Sequence, residues 1–182
     1  MKLVFAFCFA IGLAAAAPAV AEVGDKLNDN GLLNPEQLTI EYFADHYDFG
    51  KGSAIPCMYG YAATKMGDHA TAMRIFEKCI ATGMDAAYPW ESYMSQNGFG
   101  TRKSLEDAAN WDRQSAERGY KIGQFNYGLS LLRGYGVRQD VEAGKKLIDS
   151  AAALGLDVAQ EVKDAGYDPG VAIPDADLPR IY

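Results

Sequence analysis

Small and apolar residues recur three and four positions apart along two stretches of the chain, and both stretches carry the same pattern. The positions are Leu105, Ala108, Trp111 and Ser115 in the first stretch, and Val141, Gly144, Leu147 and Ala151 in the second. Such spacing gives an α helix one face that packs against a neighbour. The pattern therefore predicts an all-helical protein with closely packed helices.

The glycines of the two stretches repeat with the same offset. Three pairs are each separated by 36 positions: Gly98 and Gly134, Gly100 and Gly136, and Gly119 and Gly155. The same offset joins Glu106 to Glu142. Agreement of this kind at a single offset predicts an internal repeat of 36 residues.

Each period is predicted to contain two helices, which we name A and B. In the third copy, helix A covers 123–133 and ends at Gly134, which can adopt the left-handed conformation common at helix C-termini. Asp140 then caps helix B. In the second copy, Pro89 lies near the start of helix A and Ser104 caps helix B.

Residues 1–21 have the features of a secretory signal peptide. Lys2 precedes an apolar run, and the segment 19–21 matches the small-x-small pattern that signal peptidase reads. The run is shorter than the roughly 20 residues that a transmembrane helix needs. We therefore expect a soluble periplasmic or secreted chain that begins at Glu22 and does not insert into the membrane after cleavage.

The charge of the chain disfavours two classes of partner. The sequence carries a net charge of −7, and loss of Lys2 with the signal peptide makes the mature chain more negative still. An acidic chain is poorly suited to nucleic acid or to an anionic membrane surface. A protein or peptide partner is expected instead.

Two cysteines, Cys57 and Cys79, remain after cleavage. An even pair in an oxidising compartment favours a disulfide. Gly67 and Asp68 form the turn of the first copy, so the cysteines lie about equally far on either side and come level in a helical hairpin. Closing this loop should stabilise the fold by about 3 kcal/mol.

Two segments of the second and third copies carry a recognisable motif. They are 107–119, DAANWDRQSAERG, and 123–140, GQFNYGLSLLRGYGVRQD. These segments resemble the Sel1-like repeat of the tetratricopeptide-like superfamily, and the resemblance extends over about 53–166. It implies a right-handed α/α solenoid of helical hairpins with a protein-binding role. Secreted bacterial members often carry a disulfide between the two helices of a repeat.

The predicted organisation has four parts. Residues 1–21 are the signal peptide, and 22–52 form an N-terminal segment with a capping helix over 34–48. Residues 53–166 hold the repeats, divided into 53–86, 87–122, 123–158 and a half-repeat at 159–166. The segment 167–182 contains prolines and is predicted to be an extended tail.

The sequence predicts no catalytic, metal or cofactor site. The segment 28–31 resembles part of a calcium loop, but Lys26 and Gln37 would occupy ligand positions that need a carboxylate, so a polar turn is the better interpretation. His46 and His69 lack a second ligand at a suitable spacing. Motifs of serine nucleophiles, penicillin-recognising enzymes and phosphate-binding loops are missing from the sequence.

Helix A positions provide the candidate binding residues. In tetratricopeptide-like folds these helices line a concave groove that receives extended partners, which the resemblance implies for this chain. The candidates are Tyr59, Trp90, Tyr93, Asn126 and Tyr127. Each of them could instead belong to the core, as we expect for Trp111.

We therefore expect a periplasmic interaction scaffold that binds a partner segment in its groove. The alternative is an enzyme acting on cell-wall or β-lactam compounds, because some cysteine-rich secreted members of the family are associated with such activity. A rigid spacer in the cell envelope is a third interpretation.

Overall fold

The computed structural model describes residues 39–47, 49 and 55–172, and within these ranges it contains helices and no strand. The α helices are α1 Ile40–His46, α2 Ile55–Met66, α3 His69–Ala81, α4 Tyr88–Asn97, α5 Leu105–Glu117, α6 Lys121–Arg133, α7 Val141–Ala153 and α8 Asp157–Asp164. From α2 to α8 each helix packs against the next, and α1 packs on α3. The prediction of an all-helical repeat is confirmed. The signal peptide and the polar turn at 28–31 lie outside the described residues.

The corners between helices A and B follow the predicted chemistry. Gly98 ends α4 with φ 75°, and Gly134 ends α6 with φ 72°. The hydroxyl of Ser104 accepts a hydrogen bond from the Asp107 amide at 3.1 Å. The Asp140 carboxylate accepts one from the third residue of α7 at 3.0 Å. Both side chains satisfy amides that the first turn of a helix leaves without partners.

The second glycine of each corner joins neighbouring repeats. Gly100 and Gly136 have φ 70° and 66°. A Cβ atom at Gly100 would lie 2.9 Å from the carbonyl oxygen of His69, the first residue of α3. At Gly136 it would overlap the carbonyl of Leu105, the first residue of α5. Each corner therefore rests on helix B of the preceding repeat, which explains why glycine recurs there.

The first hairpin is closed covalently. Asp68 caps α3 by accepting a hydrogen bond from the Thr71 amide at 3.2 Å. A disulfide joins Cys57 on α2 to Cys79 on α3, with a Cα–Cα distance of 6.0 Å. The predicted pairing is confirmed. The ring of Phe43 on α1 packs against Tyr59 at a centroid distance of 4.1 Å and covers part of this hairpin.

Two apolar clusters form the core, one at each end of the array. The first includes Ala44, Ala63, Ala72, Ile75, Phe76 and Met94. The second includes Phe125, Leu129, Leu132, Ile148, Ala159 and Val162. Between them lie buried Ala108 and Ala109 together with several buried polar side chains, which are Glu91, Ser92, Ser95, Asp112, Ser115 and Gln124. The middle of the array therefore differs in chemistry from its ends.

The buried face of helix B is rotated from the predicted one. Asp112 and Ile148 are buried, whereas Trp111 and Leu147 are half-buried. The expectation that Trp111 belongs to the core is therefore wrong. Its half-buried ring lies 6.0 Å from that of Tyr88, measured between the ring centroids.

The ends of the described chain also differ from the expectations. The capping helix is described over Ile40–His46, and the predicted start near residue 34 lies outside the described residues. Pro169–Ala172 form a 3-10 turn where an extended tail is predicted, and the tail beyond 172 lies outside the described residues. The turn is held to the array because Tyr167 donates to Asp149 at 2.9 Å and Arg133 donates to the Pro169 carbonyl. None of the described helices has the length and apolar character needed to cross a bilayer.

Candidate binding groove

The two outer hairpins share one packing arrangement between helices A and B. In the first, Gly60 faces the ring of Phe76 so closely that a Cβ atom would lie 2.6 Å from it. In the third, Gly128 faces Ile148, and a Cβ atom would lie 3.1 Å from its Cδ1 atom. Phe76 and Ile148 are both fully buried. A glycine opposite a large apolar side chain thus lets the two helices approach.

The middle hairpin replaces this arrangement with a polar pair. Asp112 lies 36 positions after Phe76 and 36 before Ile148, and Ser92 lies 36 before Gly128. The Ser92 hydroxyl donates a hydrogen bond to Asp112 Oδ2 at 2.7 Å. A carboxyl group therefore occupies a position that is apolar core in the neighbouring repeats.

Asp112 is also held from α6, the first helix of the next repeat. Asn126 on α6 donates to its Oδ1 atom at 3.2 Å, and the residue is only 5% exposed. Burial raises the pKa of Asp112 to about 7, although the hydrogen bonds from Ser92 and Asn126 act in the opposite direction. No lysine, arginine or histidine among the described residues forms an ion pair with it.

A pocket of about 200 Å³ opens above this carboxyl group, between α4 and α6. Its base contains Ser92, Asp112 and Asn126, and its walls include Tyr93, Arg133 and Tyr135. We name it the polar pocket. The Arg133 guanidinium lies over the Tyr135 ring at 5.9 Å and donates to the chain beyond α8.

A larger pocket of about 500 Å³ adjoins it on the side of α2. We name it the apolar pocket; it is lined by Thr64, Lys65, Ala86, Pro89, Trp90, Tyr93, Tyr120 and Ile122. The Trp90 ring stacks on buried Phe76 at 5.6 Å and meets Tyr93 edge to face at 6.1 Å. Pro89 and Tyr93 line both pockets, so the two depressions lie side by side along α4.

Comparison with solved structures relates this arrangement to a known fold. The crystal structure of a Sel1 repeat protein from Oxalobacter formigenes matches with a TM-score of 0.55 and 26% sequence identity, over 60% of this chain and 47% of that chain. The chain has a Sel1-like repeat fold. A protective antigen of uropathogenic Escherichia coli with an SLR fold has a TM-score of 0.49 and 22% identity, over 64% of this chain and 31% of that chain.

Helicobacter pylori cysteine rich protein B has a TM-score of 0.47 and 16% identity, over 69% of this Sel1-like chain and 98% of that chain. The chain spans less than half of the length of the Oxalobacter and Escherichia proteins. No protein-family model and no curated protein matches the sequence.

The Sel1-like array brings together three of the five predicted binding residues. Trp90, Tyr93 and Asn126 line the two adjoining pockets. Tyr59 instead packs beneath α1, and Tyr127 lines shallow depressions between α6 and α5. The two pockets therefore define the candidate groove without Tyr59 and Tyr127.

Ser92 and Asp112 are functional candidates that no sequence motif indicates. A buried acid matches no catalytic or metal signature, and Asp112 follows the prominent Trp111 in a segment typical of the repeat. The alignment of the three copies does mark Asp112 as unusual, because only the middle Sel1-like hairpin has an acid where the others have Phe76 and Ile148.

A second buried acid of the Sel1-like array lies outside the groove. Glu91 is 1% exposed, and burial, with a smaller contribution from the charge of Glu77, raises its pKa to about 7. Its Oε1 atom has no hydrogen-bond partner among the described residues. It lines neither pocket, so we assign it no part in binding.

The described histidines are engaged in local packing. His69 stacks on Phe99 at 4.5 Å, and the Nδ1 atom of His46 lies 2.9 Å from the Tyr42 carbonyl oxygen. Within the described ranges no three potential ligands come together around a metal position.

Proposed function

We propose that this chain is an interaction module of the periplasm, which binds an extended segment of a protein partner along α4. The observation that carries the proposal is that the apolar and polar pockets adjoin along α4 and share Tyr93, which is 44% exposed. Concave, largely preformed depressions of this size are typical of ligand sites. The Sel1-like repeat fold supports a scaffold role, and the disulfide supports an oxidising compartment.

The aromatic side chains of the groove are suited to act as anchors. Trp90 is fixed against Phe76 and Tyr93, so it loses little conformational freedom when a partner docks. Tryptophan and tyrosine are enriched among the interface residues whose truncation costs about 2 kcal/mol or more. A partner would place an apolar side chain in the apolar pocket and a polar one in the polar pocket.

Site-specific photocrosslinking tests the proposal. With p-benzoylphenylalanine in place of Tyr93, irradiation of cells that express the chain at its native level should give a discrete protein adduct. The same probe at Lys146, an exposed position on α7, is the matched control and should not give that adduct. Trp90→Ala in the Tyr93 probe variant should remove most of it.

Two results would overturn the proposal. One is the same set of adducts from positions 93 and 146, which would indicate random collisions. The other is an adduct at position 93 whose yield is insensitive to Trp90→Ala, provided that circular dichroism shows both variants to be folded.

A further inference from the structure

The carboxyl group at the base of the polar pocket is not a requirement of the fold. The first and third hairpins pack the same position with Phe76 and Ile148, which stabilise the interior without any polar group. Burial of a carboxylate opposes folding unless the charge is compensated. Asp112 therefore weakens the packing of the middle hairpin, which points to a role outside folding.

The compensation that the chain itself supplies is incomplete. Ser92 and Asn126 each donate one neutral hydrogen bond, one to each carboxylate oxygen. An ionised carboxylate can accept about four hydrogen bonds in total, so acceptor capacity remains. No cationic side chain of the described residues forms an ion pair with Asp112. The negative charge of Asp112 is therefore not neutralised by a cation of the described residues, and the polar pocket gives access to the carboxylate.

We infer that the polar pocket binds a primary ammonium group, supplied by a lysine side chain of the partner segment. This inference rests on the proposed function, since it names the chemistry that the segment presents. An ammonium group can bind through a hydrogen bond to either carboxylate oxygen. A guanidinium group forms a bidentate pair only when both oxygens are free on the same side of the carboxylate. Ser92 and Asn126 already contact both oxygens.

The walls of the pocket suit the rest of a lysine side chain. Tyr93 and Tyr135 present aromatic surface along which four methylene groups can pack while the charged end reaches Asp112. Arg133 also lines the pocket, but its guanidinium is held at the carbonyl of Pro169. Burial of the carboxyl group and its pKa of about 7 agree with a site whose charge is completed by a ligand.

The test is a titration of the exported full chain with butylammonium at pH 8, followed by ¹H–¹⁵N NMR. The backbone amides of Ser92 and Asp112 and the side-chain amide of Asn126 should shift in a saturable manner. Butanol, which has no charge, and tetramethylammonium, which has no N–H donor, should not produce these shifts. The lysine peptide acetyl-Gly-Lys-Gly-amide should bind at least as tightly as butylammonium.

A double variant provides the matched control. Ser92→Gly with Asp112→Ile copies the Gly128 and Ile148 pair of the third hairpin, so it should fold and lose the saturable shifts. Asp112→Asn keeps the shape of the side chain and should weaken the binding of butylammonium by about tenfold or more. This variant is the control if the double variant fails to fold.

Three outcomes would overturn the inference. They are no saturable shift up to about 50 mM butylammonium, equal shifts in the Asp112→Asn variant, or tighter binding of butylammonium than of the lysine peptide. A photocrosslink at position 93 that persists despite any of these results would leave the proposed function intact. The two failures are therefore distinguishable.

Discussion

The glycines at the corners of the repeats offer a graded test of how neighbouring hairpins are joined. Replacement of Gly136, Gly100 or Gly155 by alanine imposes a similar backbone strain, because all three have φ between 66° and 75°. The space around the added methyl group differs. At Gly136 it overlaps the carbonyl group of Leu105, at Gly100 it lies 2.9 Å from a carbonyl oxygen, and at Gly155 nothing lies within 4 Å.

The expected costs follow from these two contributions. Alanine in the left-handed region costs about 1 kcal/mol, and this is the whole cost expected for Gly155→Ala. Forcing a methyl group into packed backbone adds about 1 to 3 kcal/mol. Gly136→Ala should therefore lower the free energy of unfolding by about 2 to 4 kcal/mol, toward the upper end because the added methyl group overlaps a backbone carbonyl. Gly100→Ala should be intermediate, since the close sulfur of Met73 can move although the nearby backbone cannot.

Urea unfolding of the disulfide-bonded chain, followed by circular dichroism at 222 nm, measures these differences. The slope of the transition should remain equal among the variants, so that shifts in midpoint report stability. If Gly136→Ala and Gly155→Ala lowered the free energy of unfolding equally, within about 0.5 kcal/mol, the close packing of the Gly136 corner on α5 would be refuted. A loss at Gly100 larger than at Gly136 would contradict the distances on which the ranking depends.

Three further predictions concern charge, the disulfide and capping. Burial raises the pKa of Asp112 and of Glu91 to about 7, from ordinary values of 3.8 and 4.5. Both groups therefore hold a proton in the folded chain that the unfolded chain releases, and stability should fall as the pH rises from about 4 to about 7. Between pH 5 and pH 8 each group lowers the free energy of unfolding by about 3 kcal/mol. Asp112→Asn should remove the loss that Asp112 causes, as measured by urea unfolding at both pH values. A variant with the same pH dependence as the original chain would contradict this. Reduction of the Cys57–Cys79 bond should cost about 3 kcal/mol, measured with and without dithiothreitol, and no change in midpoint would contradict it. Asp140→Ala removes the cap of α7 and should cost about 1 kcal/mol in the same assay, whereas a neutral effect would show that solvent satisfies the amide equally well.

The corners and caps could be predicted from the sequence because their chemistry is local. A left-handed corner strongly favours glycine, and a helix start favours a short oxygen-bearing side chain, whatever the rest of the fold does. Gly98, Gly134, Ser104 and Asp140 all have the predicted roles. Because these corners and caps repeat every 36 residues, they also predict the order of the helices, two in each period.

The orientation of each helix about its own axis could not be predicted in the same way. Adjacent residues on a helix point about 100° apart, so Asn126 can face the groove while Tyr127 faces α5. That choice depends on how successive hairpins stack. The same rotation buries Asp112 in place of Trp111, so the acidic residue of the site does not lie on the helix face that the apolar pattern predicts.

Because the first hairpin is closed by a disulfide, the two ends of the array of repeats differ in how easily they unfold. Linear arrays lose structure from whichever end is held least firmly, because each unit is supported only by its neighbours. At one end Cys57 and Cys79 keep two helices joined even when their packing is lost. At the other, α8 buries only Ala159 and Val162. Among the repeats α2 to α8, unfolding should therefore start at α8 and proceed toward α2, so that a protease would reach the groove before the disulfide-linked hairpin.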